Sequence, residues 1–374
     1  MPKILHRNGT GNKIQKSDNP SGKAEYIQTM KTEILSLTGP EGAAAIAKAA
    51  ECIRAGELVG IPTETVYGLA GSALYADAAR KIYAAKGRPG DNPLIVHVAD
   101  PAETEQIAHT TPLYYALAQR YMPGPLTVIL PKKEVIPDAV SGGLATVAIR
   151  CPAHPAAREL IRVSGHPIAA PSANSSGRPS PTTAAHVYAD LQGKIPLILD
   201  GGPCSIGVES TVISLHPDGQ GCTILRPGAV TREMLAEICS RVDIAAAVTD
   251  PGKAGDRPES PGMKYKHYSP KCRVILVDAP DWDAYAAYVN ENGQGRYGVL
   301  APEEETGQFS TGTVLSLGRE NDADEHARRL FALLREADEL ALDTLYARLP
   351  SEDGIDLAYY NRIIRAAGGE IVKL

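Results

Sequence analysis

Hydrophobic and polar positions alternate in short blocks along the chain. Over residues 41–55 the spacing predicts a helix: Thr38 and Glu41 have capping-box spacing, Pro40 suits an early helical position, and Gly56 ends the run. The apolar run Leu58-Val59-Gly60-Ile61 reads as a strand that leads into the loop PTETVYGLAG. Asp77 to Lys86 reads as a helix stopped by Gly87 and Pro89, and Leu94 to Val98 as a strand. Further helices are predicted near 101–109, 112–121, 154–163, 182–192 and 231–240, and strands near 126–130, 146–150, 168–170, 196–199, 210–215 and 222–226. The alternation is irregular, with some strands in succession. That predicts an α/β fold with a mixed sheet and helices packed on it, not a pure βαβ repeat.

The pattern lapses twice. Residues 1–31 are polar, rich in Gly, Asn and Lys, and without periodicity, so a disordered tail is expected there. Residues 245–271 are rich in proline and glycine and read as a linker. Plain tethers seldom carry groups such as Tyr265, His267 and Tyr268 set among Lys264, Lys266 and Lys271. From 273 onward regularity returns: RVILVD, YGVLA, TVLSL and LALDTLYA read as strands alternating with helices near 281–292, 321–337 and 355–367. This predicts a compact βαβ unit with a largely parallel sheet, and the absence of GxGxxG argues against dinucleotide binding. The expected organisation is thus a tail at 1–31, a mixed-sheet domain at 32–244, a linker at 245–271 and a smaller α/β domain at 272–374.

Composition narrows the chemistry. With 374 residues, 43% apolar and 22% charged, the chain has the make-up of a soluble two-domain protein. A net charge of −6 gives no global positive field for nucleic acid, so any RNA contact would be local. No apolar run approaches the roughly 20 residues of a membrane helix, and no apolar segment follows the early charges as a secretory signal requires. The six cysteines are widely spaced without CxxC, and the nine histidines form no HExxH pair. Neither a disulfide framework nor a zinc site is implied, and reduced thiols in a cytosolic protein are the reading.

Polar clusters fall where the predicted strands end. Thr63-Glu64-Thr65 and Tyr67 follow the first strand, then come Lys86 and Arg88, and Asn92 leads into the strand holding His97. Thr146 and Arg150 bracket another strand, Ser172 and Asn174 follow a third, Ser210 and Thr211 open a fourth, and Arg226 closes a fifth. Loops at the carboxyl edge of a sheet are where α/β proteins usually bind ligands. The inventory is hydroxyls, amides and cations, with Glu64 and Glu209 the only carboxylates. It suits a polyoxygenated anion such as a nucleotide with a carboxylate beside it. It does not suit glycoside hydrolysis or a two-metal phosphatase. Gly202 to Gly207 has the two-glycine spacing of a phosphate loop, but Val208-Glu209 follows where Lys and Ser/Thr are required. Phosphate would therefore be held by Lys86, Arg88 and Arg226 with help from hydroxyls. Singly, each residue has a plainer reading. Lys86 and Arg88 can complement a helix C-terminus, His97 can be a core histidine, and Arg150 can serve a buried ion pair. Ser172 and Asn174 can make a turn, and Tyr265 and Tyr268 can dock the linker.

In order, the segments IPTETVYGLAG, KGRPGDNPLIVHV, ATVAIRCP, APSANSSGRPSPT, GVESTVI and ILRPG resemble the YrdC/Sua5 family. SPGMKYKHYSP followed by a small α/β domain resembles its two-domain Sua5 branch, with Lys266 departing from the arginine often found in that motif. The resemblance runs from about residue 33 to the C-terminus. It implies a YrdC-like twisted mixed sheet with a concave active-site surface and a smaller, Rossmann-like Sua5 C-terminal domain. It also implies L-threonylcarbamoyladenylate synthase activity: L-threonine, bicarbonate or CO₂, and ATP give threonylcarbamoyl-AMP and pyrophosphate. A separate transferase complex would then carry the group to adenosine 37 of tRNA. Mg²⁺ would travel with the ATP phosphates, and no tightly bound organic cofactor is implied. By resemblance, Thr65, His97, Arg150 and Ser210 contact threonine, with the Ala170 backbone close by. Arg88, Asn92, Thr146, Ser172, Ser180 and Arg226 contact ATP, and Lys86 faces phosphate or the carbamate. Lys86, Arg88 and Arg150 carry the chemistry, and Tyr265 or Tyr268 brings the linker over the site as a lid. Two other readings stay open: a carbamoyl-adenylate-forming maturation factor on the same fold, and an RNA-binding module.

Overall fold

The computed structural model describes residues 30–250 and 268–374, together with the short strands β1 (Ile14–Lys16) and β2 (Tyr26–Gln28), which pair antiparallel. Most of the expected tail and the segment 251–267 lie outside the described residues.

The N-terminal part runs β3 (Glu33–Ser36), α1 (Gly42–Arg54), β4 (Val59–Ile61), β5 (Gly68–Ser72), α2 (Ala76–Lys86), β6 (Ile95–His97), α3 (Pro112–Tyr121), β7 (Leu126–Pro131), α4 (Asp138–Ser141) and β8 (Thr146–Arg150). It continues with α5 (Pro155–Ser164), β9 (Ile168–Ala169), α6 (Ala184–Leu191), β10 (Leu197–Asp200), β11 (Thr211–Leu215), β12 (Gly221–Arg226), α7 (Arg232–Ala236) and β13 (Arg241–Ile244). Its strands β3 to β13 form one 11-stranded sheet in the order β13-β12-β11-β7-β8-β6-β9-β5-β4-β10-β3. Parallel and antiparallel pairs mix throughout, so neither hairpins nor βαβ units dominate.

The C-terminal part runs β14 (Arg273–Asp278), α8 (Trp282–Asn292), β15 (Tyr297–Ala301), β16 (Thr313–Ser316), α9 (Ala323–Glu339), β17 (Thr344–Arg348), α10 (Asp356–Ala366) and β18 (Ile371–Lys373). Its five strands are all parallel, in the order β16-β15-β17-β14-β18. Helix α9 buries a stripe of Ala327, Leu330, Phe331, Leu334 and Ala337, the spacing of an amphipathic helix. Helix α10 differs: every residue from Leu357 to Ala366 is buried, including Asn361, Arg362 and Arg365. A helix without a wet face must be covered on both sides. Its own sheet covers one side and the N-terminal part covers the other. Val66 and Val208 of the N-terminal part share one apolar cluster with Tyr268, Phe331, Leu330, Ala358 and Ile363.

Several expectations are corrected. The capping box does not form: Glu41 is the N-cap without a side-chain bond, and Thr38 instead bonds the Ser36 hydroxyl at 2.7 Å. The region near 101–109 is a 3₁₀ turn over Pro101–Gln106, and the helix expected at 231–240 shortens to α7. The supposed loop PTETVYGLAG contains β5, which is glycine-rich because a side chain at Gly71 would press on Leu58 at 3.0 Å. Such a strand has none of the β-branched residues by which strands are read.

Candidate active site

Register explains why distant residues meet. Across five neighbouring strands Arg226 pairs with Val212, Val212 with Thr127, Thr127 with Arg150, and Arg150 with His97. Directly paired residues share a face of the sheet, so one line across β12, β11, β7, β8 and β6 carries two arginines, a threonine and a histidine. The loops after β4 and β9 and the segment before β11 close over this line. They enclose a cavity lined by Thr63, Thr65, Arg88, His97, Arg150, Ala170, Ser172, Asn174, Ser180, Glu209, Ser210, Arg226 and Tyr268, among others.

At one end sits a buried ion pair. Arg150 donates from Nη2 to Glu64 Oε1 at 2.6 Å and from Nε to the Gly124 carbonyl at 3.3 Å. Burial pushes the Glu64 carboxyl up, but the charge and hydrogen bond of Arg150 outweigh it and the net pKa is lowered. The other oxygen, Oε2, is buried without a partner among the described residues. His97 is also buried, its Nδ1 likewise unpaired. Burial first, and the positive charge of Arg150 second, hold its pKa to about 3, so the ring is neutral at physiological pH. Thr63 and Thr65 hydroxyls bond each other at 2.9 Å beside this pair.

The other end carries more hydrogen bonds, although Arg88 Nε is buried without a partner among the described residues. Arg226 donates from Nε to Ser210 O at 3.0 Å and from Nη2 to Ser210 Oγ at 3.1 Å, and Ser210 Oγ also meets Thr127 Oγ1 at 2.7 Å. Ser180 Oγ donates to Glu209 Oε1 at 2.6 Å. Arg88 holds the carbonyls of Asn92 and Pro93 at 3.2 and 3.0 Å. Burial lowers both Arg88 and Arg226 to about 10, still charged at neutral pH. Asn174 accepts from Ser172 Oγ at 2.5 Å and donates to the Arg178 carbonyl at 2.9 Å, which sets the loop after β9.

Of the residues singled out in the sequence, Thr65, Arg88, His97, Arg150, Ala170, Ser172, Ser180, Ser210, Arg226 and Tyr268 line this cavity, whereas Lys86, Asn92 and Thr146 do not. Lys86 was expected to face phosphate. Its ammonium is instead buried behind the wall and donates to the carbonyls of Ser172 and Asn174, which occupies it in bracing that loop. Asn92 is buried with both side-chain polar atoms unpaired among the described residues, and its carbonyl serves Arg88. Tyr265 lies outside the described residues. Tyr268 is buried with φ +63°, its ring 5.1 Å from that of Phe331, so the end of the linker is held against the C-terminal domain. Strain of this kind persists only where the surroundings over-determine it.

What sequence reading missed is the second domain's share. Arg362 reaches Glu209 across the domain boundary, donating from Nε to Oε2 at 3.0 Å and from Nη2 to the Glu209 carbonyl at 3.3 Å. Arg335 likewise reaches Asp190 at 2.9 Å, and Arg178 joins Asp190 to Asp338 at 3.1 and 3.2 Å. The segment Gly202–Gly207 is a docking loop. Gly207 has φ +80°, and a Cβ there would lie 2.2 Å from the Arg328 carbonyl of α9. The readable signal was YYNRIIRA, a helix with arginine but no polar face.

Known proteins resemble this chain over most of its length. Residues 51–228 match the Sua5/YciO/YrdC family model, described as telomere recombination. Residues 230–368 match the C-terminal domain of threonylcarbamoyl-AMP synthase. The chain is 44% identical over 345 residues to the threonylcarbamoyl-AMP synthase of Bacillus subtilis, covering 91% of this chain and 97% of that one. It is 44% identical to the Pyrococcus abyssi enzyme, covering 87% and 95%. The crystal structure of P. abyssi Sua5 complexed with L-threonine superposes with a TM-score of 0.82 at 42% identity, over 92% of this chain and 99% of that one.

Proposed function

The chain belongs to the two-domain Sua5 family of threonylcarbamoyl-AMP synthases, and on that premise we propose how its cavity makes threonylcarbamoyl-AMP and pyrophosphate from L-threonine, bicarbonate or CO₂, and ATP. The observation that carries the assignment is the register line ending in His97 and Arg150 on one side and Arg226 on the other. It sets two cationic ends in one cavity, as an amino acid beside a nucleoside triphosphate needs.

Threonine takes the Glu64 end. Arg150 receives its carboxylate. No described residue takes a bond from Arg150 Nη1, so an edge of the fork is open although Nη2 is shared with Glu64. His97 offers a neutral ring nitrogen, Thr65 and Ser210 offer hydroxyls, and the Ala170 backbone borders the side chain. ATP takes the other end, among Arg88, Arg226, Ser172 and Ser180. Lys86 braces the loop that carries Ser172 and contributes through it. Asn92 supports Arg88 in the same indirect way. Tyr268, where the linker re-enters, walls the cavity.

In this scheme the neutral threonine amine adds to CO₂ with loss of a proton, or to bicarbonate with loss of water, and a carbamate oxygen then attacks the α-phosphorus. A carbamate O–P bond forms, the α–β phosphoanhydride breaks, and pyrophosphate leaves with the electron pair. Positioning and charge neutralisation dominate. Mg²⁺ enters as part of the substrate MgATP. Among the described residues no group of three or more His, Cys, Asp or Glu side chains could hold a metal. Glu209, which lines the cavity, and Glu64, behind it, are each committed to an arginine. The product is a labile mixed anhydride, so it must pass to a transferase acting on tRNA.

Pyrophosphate release with threonine, bicarbonate and ATP omitted in turn tests the scheme. Each omission should abolish release. Robust release without threonine would overturn the assignment and favour a free carbamoyl substrate.

A further inference from the structure

Carboxylates facing a site for ATP are a liability, since they repel phosphate. Glu209 is such a group, buried on the wall of the cavity beside Ser210 and Arg226. Both of its oxygens are taken, one by Ser180 Oγ of its own domain and one by Arg362 of the other. Arg362 does more than cancel charge. Its guanidinium also donates to the main-chain carbonyls of Glu209 and Pro227. These residues flank the cavity wall on both strands: Glu209 precedes Ser210 at the start of β11, and Pro227 follows Arg226 at the end of β12. The two strand ends are pressed together here, because a side chain at Gly228 would lie 2.4 Å from the Thr211 amide. One side chain, fully excluded from solvent, thus spans the pair that carries Ser210 and Arg226. At the opposite end, no side-chain hydrogen bond from the C-terminal domain reaches Glu64, His97 or Arg150 among the described residues.

We propose that Arg362 is a positioning residue for the nucleotide, through which docking of the C-terminal domain sets Ser180 and Arg226 for the ATP phosphates. The inference rests on the placement of ATP at this end. Its chemical reason is the fork: three acceptors on two strands are gripped in fixed geometry, which a single ammonium cannot reproduce. A bare apolar contact would dock the domains without setting these groups.

Binding of MgATP and of L-threonine, each measured by calorimetry on the full chain, tests this. Arg362→Met should weaken MgATP by about tenfold or more while threonine affinity stays within about threefold. Arg362→Lys should recover the melting temperature but less than half of the lost MgATP affinity, on a logarithmic scale. Removing one member of a buried pair strands the other, so Arg362→Met with Glu209→Gln is the companion variant. It should fold well and still bind MgATP weakly. A folded Arg362→Met protein, or a folded double variant, that binds MgATP like the native chain would overturn the role of Arg362 alone. So would equal losses for both ligands. Native protein that binds threonine but not MgATP would overturn the site assignment and this inference together.

Discussion

Two buried carboxylates, Glu209 on the cavity wall and Glu64 behind it on Arg150, are treated differently. Glu209 is finished: Ser180 and Arg362 occupy both of its oxygens, and the pair joins two domains. Glu64 is less complete: Arg150 takes one oxygen, and among the described residues neither the other oxygen nor the neighbouring His97 Nδ1 has a hydrogen-bond partner. An unpaired buried acceptor costs about 1–3 kcal/mol, so a fold tolerates it where something else completes the set. The contrast separates a carboxylate locked by the second domain from one held by an arginine of its own domain. It also assigns different work to two chemically similar ion pairs.

Arg150→Lys should break the contrast most severely. A lysine keeps the charge beside Glu64 but loses the planar fork. We expect kcat/KM for threonine to fall on the order of 100-fold, about 2.7 kcal/mol, with the KM for ATP within about threefold. Steady-state kinetics with each substrate varied would show it. A parallel rise in the KM for ATP would mean that the two ends are one unit.

That variant also marks how far sequence reading reaches. Strand and helix periodicity is local, so α2, α5, β7, β8 and the β14–β17 framework were legible. Arg150 and Arg226 were legible as candidates because arginine closing an apolar strand demands a partner. Register is not local, and the line joining Arg226, Thr127, Arg150 and His97 has no trace in spacing. Lys86 shows the same limit: its place in the last turn of α2 was clear, but not that two main-chain carbonyls nearly 90 residues away would take its ammonium. Arg362 obeys the rule that flagged Arg150, yet its partner stands 153 positions away in another domain. The phosphate-loop spacing of Gly202 and Gly207, set aside because Val208-Glu209 follow it, belongs to the docking loop, since glycine also serves close backbone approach.

Gly207→Ala would test the finished end without touching a charge. Alanine must adopt a left-handed φ and meet the Arg328 carbonyl, so the domains have to part. Strain and overpacking together should cost about 2 kcal/mol. MgATP affinity should fall several-fold through the displaced Arg362, while threonine binding is spared. Unchanged thermal midpoint and unchanged MgATP affinity would show that the docking loop yields freely and that the C-terminal domain is not held as described.

The smallest effect belongs to His97 and appears as a slope. Its folded pKa is depressed to about 3 by burial and by Arg150, while the unfolded side chain titrates near its ordinary 6.5. Between those values the unfolded chain binds a proton that the folded chain refuses. This histidine therefore weakens stability as pH falls below about 6.5, and the loss is complete near the folded value. Glu64 and Glu209 have lowered pKa values, so they erode stability further down, from about the ordinary carboxylate value of 4.5 toward their folded values. The window from about pH 6 to 4.5 isolates the histidine contribution. His97→Asn should flatten the dependence of unfolding free energy on pH there by up to about 1.4 kcal/mol per pH unit. Urea unfolding of the native and variant chains across that window measures it, and other buried histidines cancel in the difference. Parallel slopes would mean that the ring is solvated enough to protonate in the folded state.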